Sequence, residues 1–256
     1  MKNRFLIFIL IFLLFFVFIA LILMPIHKKA EVKRAPIYKG RIAIVIDDWG
    51  YRLDNLPIIR GIKQPLTCAV LPNLRNSALV AQNLNNLGFE IILHLPMEPK
   101  EKYRLEKNTI TLGMNADQIR NIIDTDLASV IFAKGVSNHM GSAITVNERL
   151  TFIVMNEVKK HRLYFLDSYV SIKSVCQKIA KKMELKFAKR DVFLDNQNDP
   201  EYIKGQLIKL KNLSKKNKAA IGIGHDRKTT LMVLKEMLPQ LEEQGYKFVF
   251  VSEIVK

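Results

Sequence analysis

The 256-residue sequence is poor in the residues that mark several protein classes. It has two cysteines, which exclude a disulfide-framed scaffold and a Cys-rich zinc module. Any metal would therefore have to be held by histidine and carboxylate. Eleven glycines and nine prolines exclude collagen-like or linker-like composition. No GxGxxG and no Walker A motif occurs, so a nucleotide is not indicated. There is no internal repeat. Acidic residues are scarce too, 24 against 40 Lys and Arg, which gives a formal net charge of +16. An apolar fraction of 49% with 25% charged residues excludes a disordered chain. The length suits one large domain or two small ones.

One apolar run stands apart. Phe5 to Met24 (FLIFILIFLLFFVFIALILM) has no polar residue. At about 1.5 Å per residue it matches a hydrocarbon core of roughly 30 Å. It reads as a signal anchor or a signal peptide over residues 1–24, with Lys2 and Arg4 as the basic n-region. The run is longer than a usual signal h-region, no A-x-A-like site follows, and no cysteine follows to carry a lipid, so the uncleaved anchor is preferred. The C-terminal flank (Lys28, Lys29, Lys33, Arg34, Lys39, Arg41) is more basic than the N-terminal one. Read literally, the positive-inside rule then favours a cytoplasmic domain, whereas a very short basic N-terminus looks like an export signal. The expectation adopted is a membrane-anchored domain facing the periplasm or extracytoplasmic side, with cleavage and secretion as the alternative. Residues 25–40 read as a basic linker and 41–256 as the folded domain. The basic excess outside the run suits a solvated surface or attraction to an anionic lipid or cell-wall polymer. Nucleic acid is not expected, because no recognition motif accompanies the charge. Oligomeric state is not legible.

From Arg41 onward short apolar runs alternate with amphipathic stretches. The runs are 41–46, 65–71, 89–93, 129–137, 162–166, 191–194, 219–224 and 247–251. The helical candidates are 53–63, 76–87, 115–128, 147–160, 171–184, 199–214 and 227–243, with Asn76 and Asn147 as N-caps and Gly88 and Gly245 as C-caps. Near-continuous apolar strands alternating with helices imply a parallel sheet covered on both faces. Seven or eight units predict an α/β fold, a distorted (β/α) barrel, with an open doubly wound sheet as the alternative.

In either architecture ligands meet the C-terminal ends of the strands. The residues that follow the runs are Asp47-Asp48, His94, Asn138-His139, Asp167, Asp195 and His225-Asp226. Singly each has a plain reading: a histidine as a hydrogen-bonded structural residue, Asp167 as a helix cap, Asp195 and Asp199 as a turn. Jointly, five or six strands deliver ionisable groups to one rim. Two adjacent carboxylates raise each other's pKa unless a cation sits beside them. A metal held by one Asp and two His relieves that conflict and generates a nucleophilic water at neutral pH.

The ordered segments IVIDDWG, HLPMEP, NHMGS, FLDS, RDVFLDN and IGIGH resemble the divergent polysaccharide deacetylase family, a distant branch of the NodB-type carbohydrate esterases. The resemblance covers about residues 41–255. It implies a NodB-like distorted barrel of about seven strands. It also implies Asp47 as catalytic base, Asp48 and His94 as metal ligands, and His225 as general acid. His139 is the third ligand in this reading, and Arg190 would hold an acidic neighbour charged. The typical His-x-x-x-His is here His94-x-x-x-Glu98, interrupted by Pro96 and Pro99. Either Glu98 replaces a histidine ligand or His139 supplies it; His139 is preferred, with Glu98 near the substrate. Asn138 could assist an oxyanion. Trp49 and Tyr51 could stack on a sugar or pack the loop. The implied activity is metal-dependent removal of N- or O-acetyl groups from a cell-envelope glycan of peptidoglycan type, with Zn²⁺ the expected metal. The alternative is a catalytically inactive envelope scaffold that binds glycan or a partner protein.

Overall fold

The structure, a computed structural model, describes residues 2–23 and 38–256. The chain divides into two compact units, Met1–Ile37 and Tyr38–Lys256. In the first, helix α1 (Lys2–Leu23) coincides with the apolar run. Among the described residues no helix is long and apolar enough to cross a membrane, so the expected spanning segment is not supported by them. Most of the linker expected at 25–40 lies outside the described residues.

The second unit contains every strand and the whole core, so it has what a domain needs to fold alone. Its strands are β1 (Gly40–Trp49), β2 (Thr67–Val70), β3 (Glu90–Met97), β4 (Ala133–Met140), β5 (Tyr164–Asp167), β6 (Phe187–Lys189), β7 (Val192–Phe193), β8 (Ala219–His225) and β9 (Tyr246–Phe248). Its helices are α2 (Leu56–Ile59), α3 (Ser77–Asn86), α4 (Ala116–Ser129), α5 (Glu148–Lys160), α6 (Cys176–Met183), α7 (Pro200–Asn217) and α8 (Lys228–Glu243). The strands run in the order β6-β5-β4-β3-β2-β1-β8-β7, all pairs parallel, and β9 pairs with the start of β1.

The two ends of this path, β6 and β7, are joined by Arg190 and Asp191 alone. Consecutive Cα atoms are about 3.8 Å apart, so Lys189 and Val192 lie within about 11 Å. The sheet must curl until its edges meet. Two main-chain bonds span the junction: Arg190 N–H donates to Asp167 O at 3.0 Å, and Asp191 N–H to Ile221 O at 2.9 Å. The distorted barrel expected from the sequence is thus a curled parallel sheet with an unladdered seam.

Side chains alternate across a strand, and two cores result. Ala43, Val45, Ala69, Ile92, Leu166, Ile221 and Ile223 fill the barrel. Ile42, Ile44, Ile46, Cys68, Val70, Ile91, Leu93 and Val136 face the helices. At the lower end of the barrel the buried Glu90 carboxylate accepts from Thr67 Oγ1 (2.9 Å), Tyr164 Oη (2.8 Å) and Ser252 N–H (3.2 Å). These bonds seat the 3-10 turn Val251–Glu253 there.

Some element expectations need correction. The helix expected at 53–63 is one turn, and that at 171–184 starts five residues late, where Cys176 first buries a side chain. β6 was not expected. Asn76 does not cap α3; its amide donates instead to Tyr51 O at 3.0 Å. Asn147 does cap α5, accepting from Leu150 N–H at 3.0 Å.

Candidate metal and proton-transfer site

Strand alternation explains why the site assembles. Asp47 shares its face of β1 with Ala43 and Val45, His94 shares its face with Ile92, and His225 continues Ile221 and Ile223. These side chains cap the barrel interior at the ends of their strands. His94 lies opposite Ser137 in the β3–β4 register, and its Nδ1 is 2.7 Å from Ser137 Oγ. That contact leaves Nε2 facing the carboxylates: it is 3.5 Å from Asp47 Oδ2 and 3.4 Å from Asp48 Oδ1.

Asp48 breaks the alternation. Its φ of 67° puts it in the left-handed region, and the β1–β2 register shifts between Ile46 and Trp49. This bulge turns two neighbouring carboxylates toward one place. Asp48 Oδ1 also lies 3.1 Å from His139 Nδ1. Asp48, His94 and His139 each offer one ligand atom, all within 4.8 Å of one another. The donor set fits a metal ion. Asp48 Oδ1 is buried and close to two imidazole nitrogens, yet it meets neither in a well-aligned hydrogen bond; Asp47 Oδ1 and His139 Nε2 are also buried without partners. A cation held between them would satisfy these buried donors and acceptors.

The charges are graded. Burial pushes the Asp47 carboxyl above its ordinary value, aided by the Asp48 charge and opposed by His94 and His225. Burial acts on Asp48 in the same sense, but contact with His139 and His94 outweighs it and holds Asp48 well below the usual carboxylate range. On the neighbouring strand β8, where His225 lies in register with Asp47, His225 Nδ1 is 2.7 Å from Asp195 Oδ1. Asp195 is fully buried, and its Oδ2 accepts from His225 N–H (2.8 Å) and Thr230 Oγ1 (2.7 Å). Burial lowers the His225 pKa, but the Asp195 hydrogen bond and the charges of Asp195, Asp47 and Asp48 outweigh it, so the net shift is upward. The imidazolium is held with Nδ1 on Asp195, which leaves Nε2 free.

Residues 44–255 match the family described as divergent polysaccharide deacetylase. The chain belongs to that family. An Escherichia coli K12 relative, the protein YibQ, is 36% identical over 207 residues, 81% of this chain and 65% of its own length. The chain therefore spans just under two thirds of that relative. Among solved structures, the Agrobacterium tumefaciens C58 protein ATU2773 superposes with a TM-score of 0.81 at 23% identity, covering 87% of this chain and 92% of that one. The Xyl-CE4 domain of a multidomain xylanase from the hindgut metagenome of Trinervitermes trinervoides gives 0.52 at 17%, covering 84% and 88%. At these identities the structures establish a shared fold with a family 4 carbohydrate esterase domain.

Within this family member, the remaining residues singled out in the sequence lie at the same rim with other work. Trp49 is fully buried in the helix-facing core, so it is not a sugar-stacking platform; a residue with no exposed face cannot meet a ligand. Tyr51 is half exposed and bonds Glu106. Glu98 is not among the converging ligands: its Oε2 accepts from Leu112 N–H at 2.7 Å and fixes the loop after β3. Asn138 alternates with His139 and points away from the mouth. Its amide donates to Met140 O (2.7 Å) and accepts from Ser168 N–H (2.9 Å), so it is committed to main chain and not to an oxyanion. Asp167 accepts from Tyr169 N–H (2.8 Å) and Ser174 Oγ (2.6 Å), organising its own loop. Arg190 donates to Ser168 O (2.7 Å) and Tyr169 O (2.8 Å) and lies 3.5 Å over the Phe193 ring. Among the described residues it forms no ion pair with a carboxylate, but its charge favours the ionised forms of Asp167 and Asp191 against the effect of their burial.

Ser137, Thr230 and Asn55 were missed, and Asp226, noted only as the residue after His225, was given no role. Asn55 Nδ2 donates to Asp226 Oδ1 at 2.7 Å, and Asp226 N–H donates to Asp47 O at 2.9 Å. They tie the loop after the paired aspartates to the loop after His225. Ser137 could have been found from its period-two spacing to His139.

Proposed function

We propose that this chain is a metal-dependent hydrolase that removes N- or O-linked acetyl groups from a cell-envelope carbohydrate, a peptidoglycan-type glycan being the favoured substrate. Family membership supports a deacetylase. The observation that carries the metal and the chemistry is the convergence of Asp48, His94 and His139 beside Asp47, with the Asp195–His225 pair next to Asp47 on the adjoining strand.

Asp48, His94 Nε2 and a ring nitrogen of His139 would hold a divalent ion, and a set of two imidazoles and one carboxylate suits Zn²⁺. Such an ion supplies Lewis acidity toward the acetyl carbonyl and toward water. Ser137 Oγ on His94 Nδ1 fixes that ring's orientation. Asp47, raised by burial and lacking a partner on Oδ1, takes the proton of the attacking water. His225 holds its proton on Nε2, kept there by the Asp195 carboxylate on Nδ1, and gives it to the departing amine or alkoxide. Acetate and a deacetylated sugar leave, Asp47 loses the proton it gained and His225 takes one up again, so both groups return to their starting states.

The test uses residues 38–256 prepared without chelators, beside His94→Ala, His139→Ala and Asp47→Asn. One divalent metal per chain, lost in both histidine variants, and acetate release from acetylated glycan fragments, lost in Asp47→Asn, would support the reading. Metal retention with no acetate from any such glycan would favour the inactive scaffold that binds glycan or a partner. A folded protein that takes up no metal would refute the hydrolase. In this proposal α1 tethers the domain at the extracytoplasmic side of a membrane. Release of the full chain from membranes by alkaline carbonate, or resistance of the domain to external protease in cells whose outer layer has been opened, would contradict that placement.

A further inference from the structure

A second cavity lies in the barrel seam, well away from the paired aspartates. β7 supplies only two residues beside β8, at Gly222 and Ile223. Below Ile221 no strand pairs with that edge of β8 among the described residues, and the seam opens into a cavity of about 680 Å³. Its β8 lining, Ala219 to Ile221, begins about 13 Å down the strand from His225 at about 3.3 Å per residue. It is therefore not part of the hydrolytic site. The volume falls in the range of small-molecule pockets, roughly 300–1,000 Å³.

The lining has two kinds of surface. The floor is apolar: Leu185, Phe187 and Ile221 face it. The walls carry Lys181, Lys186, Lys189 and Lys256. None of these four lysines forms an ion pair among the described residues, although Lys189 Nζ sits 4.7 Å over the Tyr169 ring. Two carboxylates share the lining. Asp191 is committed to Ile221 N–H at 2.8 Å, and Glu184 makes no ion pair. An apolar floor beneath four ammonium groups that outnumber the two carboxylates of the lining fits a ligand with a hydrophobic body and an anionic head. A neutral lipid would leave the cations unused, and a bare anion would leave the floor wet.

We propose that this seam cavity binds an anionic amphiphile, an apolar chain of about ten carbons ending in a carboxylate or phosphate. The chain lies along Leu185, Phe187 and Ile221, and the head meets Lys181 and Lys186. The inference does not rest on the hydrolase reading.

The test is calorimetric titration of residues 38–256 below micellar concentrations with decanoate, decyl phosphate, octanoate, decanol and butyrate. Methyl NMR places the ligand. Saturable one-to-one binding of at least one decyl anion is expected, with shifts at the Leu185 and Ile221 methyls. Decanol and butyrate should bind at least tenfold more weakly. Octanoate should bind about fifteenfold more weakly than decanoate, because each of the two lost methylenes contributes about 0.8 kcal/mol when buried. Lys181→Glu with Lys186→Glu, both at exposed positions, should weaken decyl-anion binding at least tenfold without lowering the melting temperature. The tighter of decanoate and decyl phosphate would identify the source as a fatty acid or a phosphate-headed lipid. Absence of saturable binding by either anion, equal binding of decanol, or indifference to the double variant would overturn the proposal.

Discussion

Replacing Asp195 by Asn tests the proton-holding half of the site without any substrate. The side chain keeps its shape, but its three donors, His225 Nδ1, His225 N–H and Thr230 Oγ1, now face an amide that has one acceptor oxygen. Breaking a buried hydrogen-bonded charge pair costs about 3–5 kcal/mol. Urea unfolding of residues 38–256 should register a loss of that order at pH 6. The titration of His225 should also change sign. In the parent protein its pKa lies above the ordinary 6.5 because Asp195 outweighs burial. In the variant burial prevails, and the pKa should fall below 6.5. The linkage follows. A raised folded pKa gives stability that is fully present below pH 6.5 and fades as pH rises through the folded value. In the variant the same histidine should destabilise the fold as pH falls. NMR of the His225 Cε1–H in the metal-free protein reads the pKa directly. A parent value below 6.5, or one that Asp195→Asn leaves unmoved, would refute the argument that Asp195 sets the charge of His225.

Three further outcomes follow from other parts of the molecule. A divalent metal at about a thousand times its dissociation constant should stabilise the domain by about 4 kcal/mol, with a melting-temperature rise of about 8–16 °C that chelator reverses and His94→Ala removes. An equal rise in that variant would place the metal elsewhere. Glu90→Ala leaves two buried donors, Thr67 Oγ1 and Tyr164 Oη, unmet at the lower end of the barrel and should cost about 2–6 kcal/mol, while Glu90→Gln costs markedly less; equal losses in urea unfolding would contradict the acceptor role. Burial pushes the Asp126 carboxyl up to about 7, even though Asn108 and Asn73 donate to it. A raised carboxyl favours the folded state while protonated, so stability should decline as pH rises from about 4 through 7. Asp126→Asn should flatten that slope, and an unchanged slope would show that another group carries it.

The ends of the strands were readable because barrel strands announce themselves as unbroken apolar runs, and the first ionisable residue after each run has nowhere to go but the rim. Asp47, His94 and His225 were found that way, and simple alternation would also have turned Asn138 outward once His139 faced in. Asp48 was harder. Its approach depends on a bulge and a left-handed residue, which no residue type in IDDWG dictates. Trp49 misled because an aromatic beside a site looks like a platform, and only packing shows that its ring faces the helices. β6 escaped because three residues with a lysine at the end carry too little hydrophobic pattern to register. Arg190 acts on Asp167 and Asp191 through its charge, while the groups it touches, two carbonyls and Phe193, lie outside any local spacing rule.

The pairing of β1 with β8 joins Asp47 to His225 across most of the chain, in a continuous register from Arg41↔Ala219 onward. On a ribosome this makes the site a two-stage assembly. The ligands Asp48, His94 and His139 have all emerged while the last hundred residues are still unmade, so a metal-binding cluster precedes the proton-holding pair in time. Throughout that interval one edge of β1, whose centre is the apolar run Ile42–Ile46, waits without a partner. Slow or interrupted synthesis of the C-terminal third would therefore leave a sticky, metal-competent and chemically inert fragment.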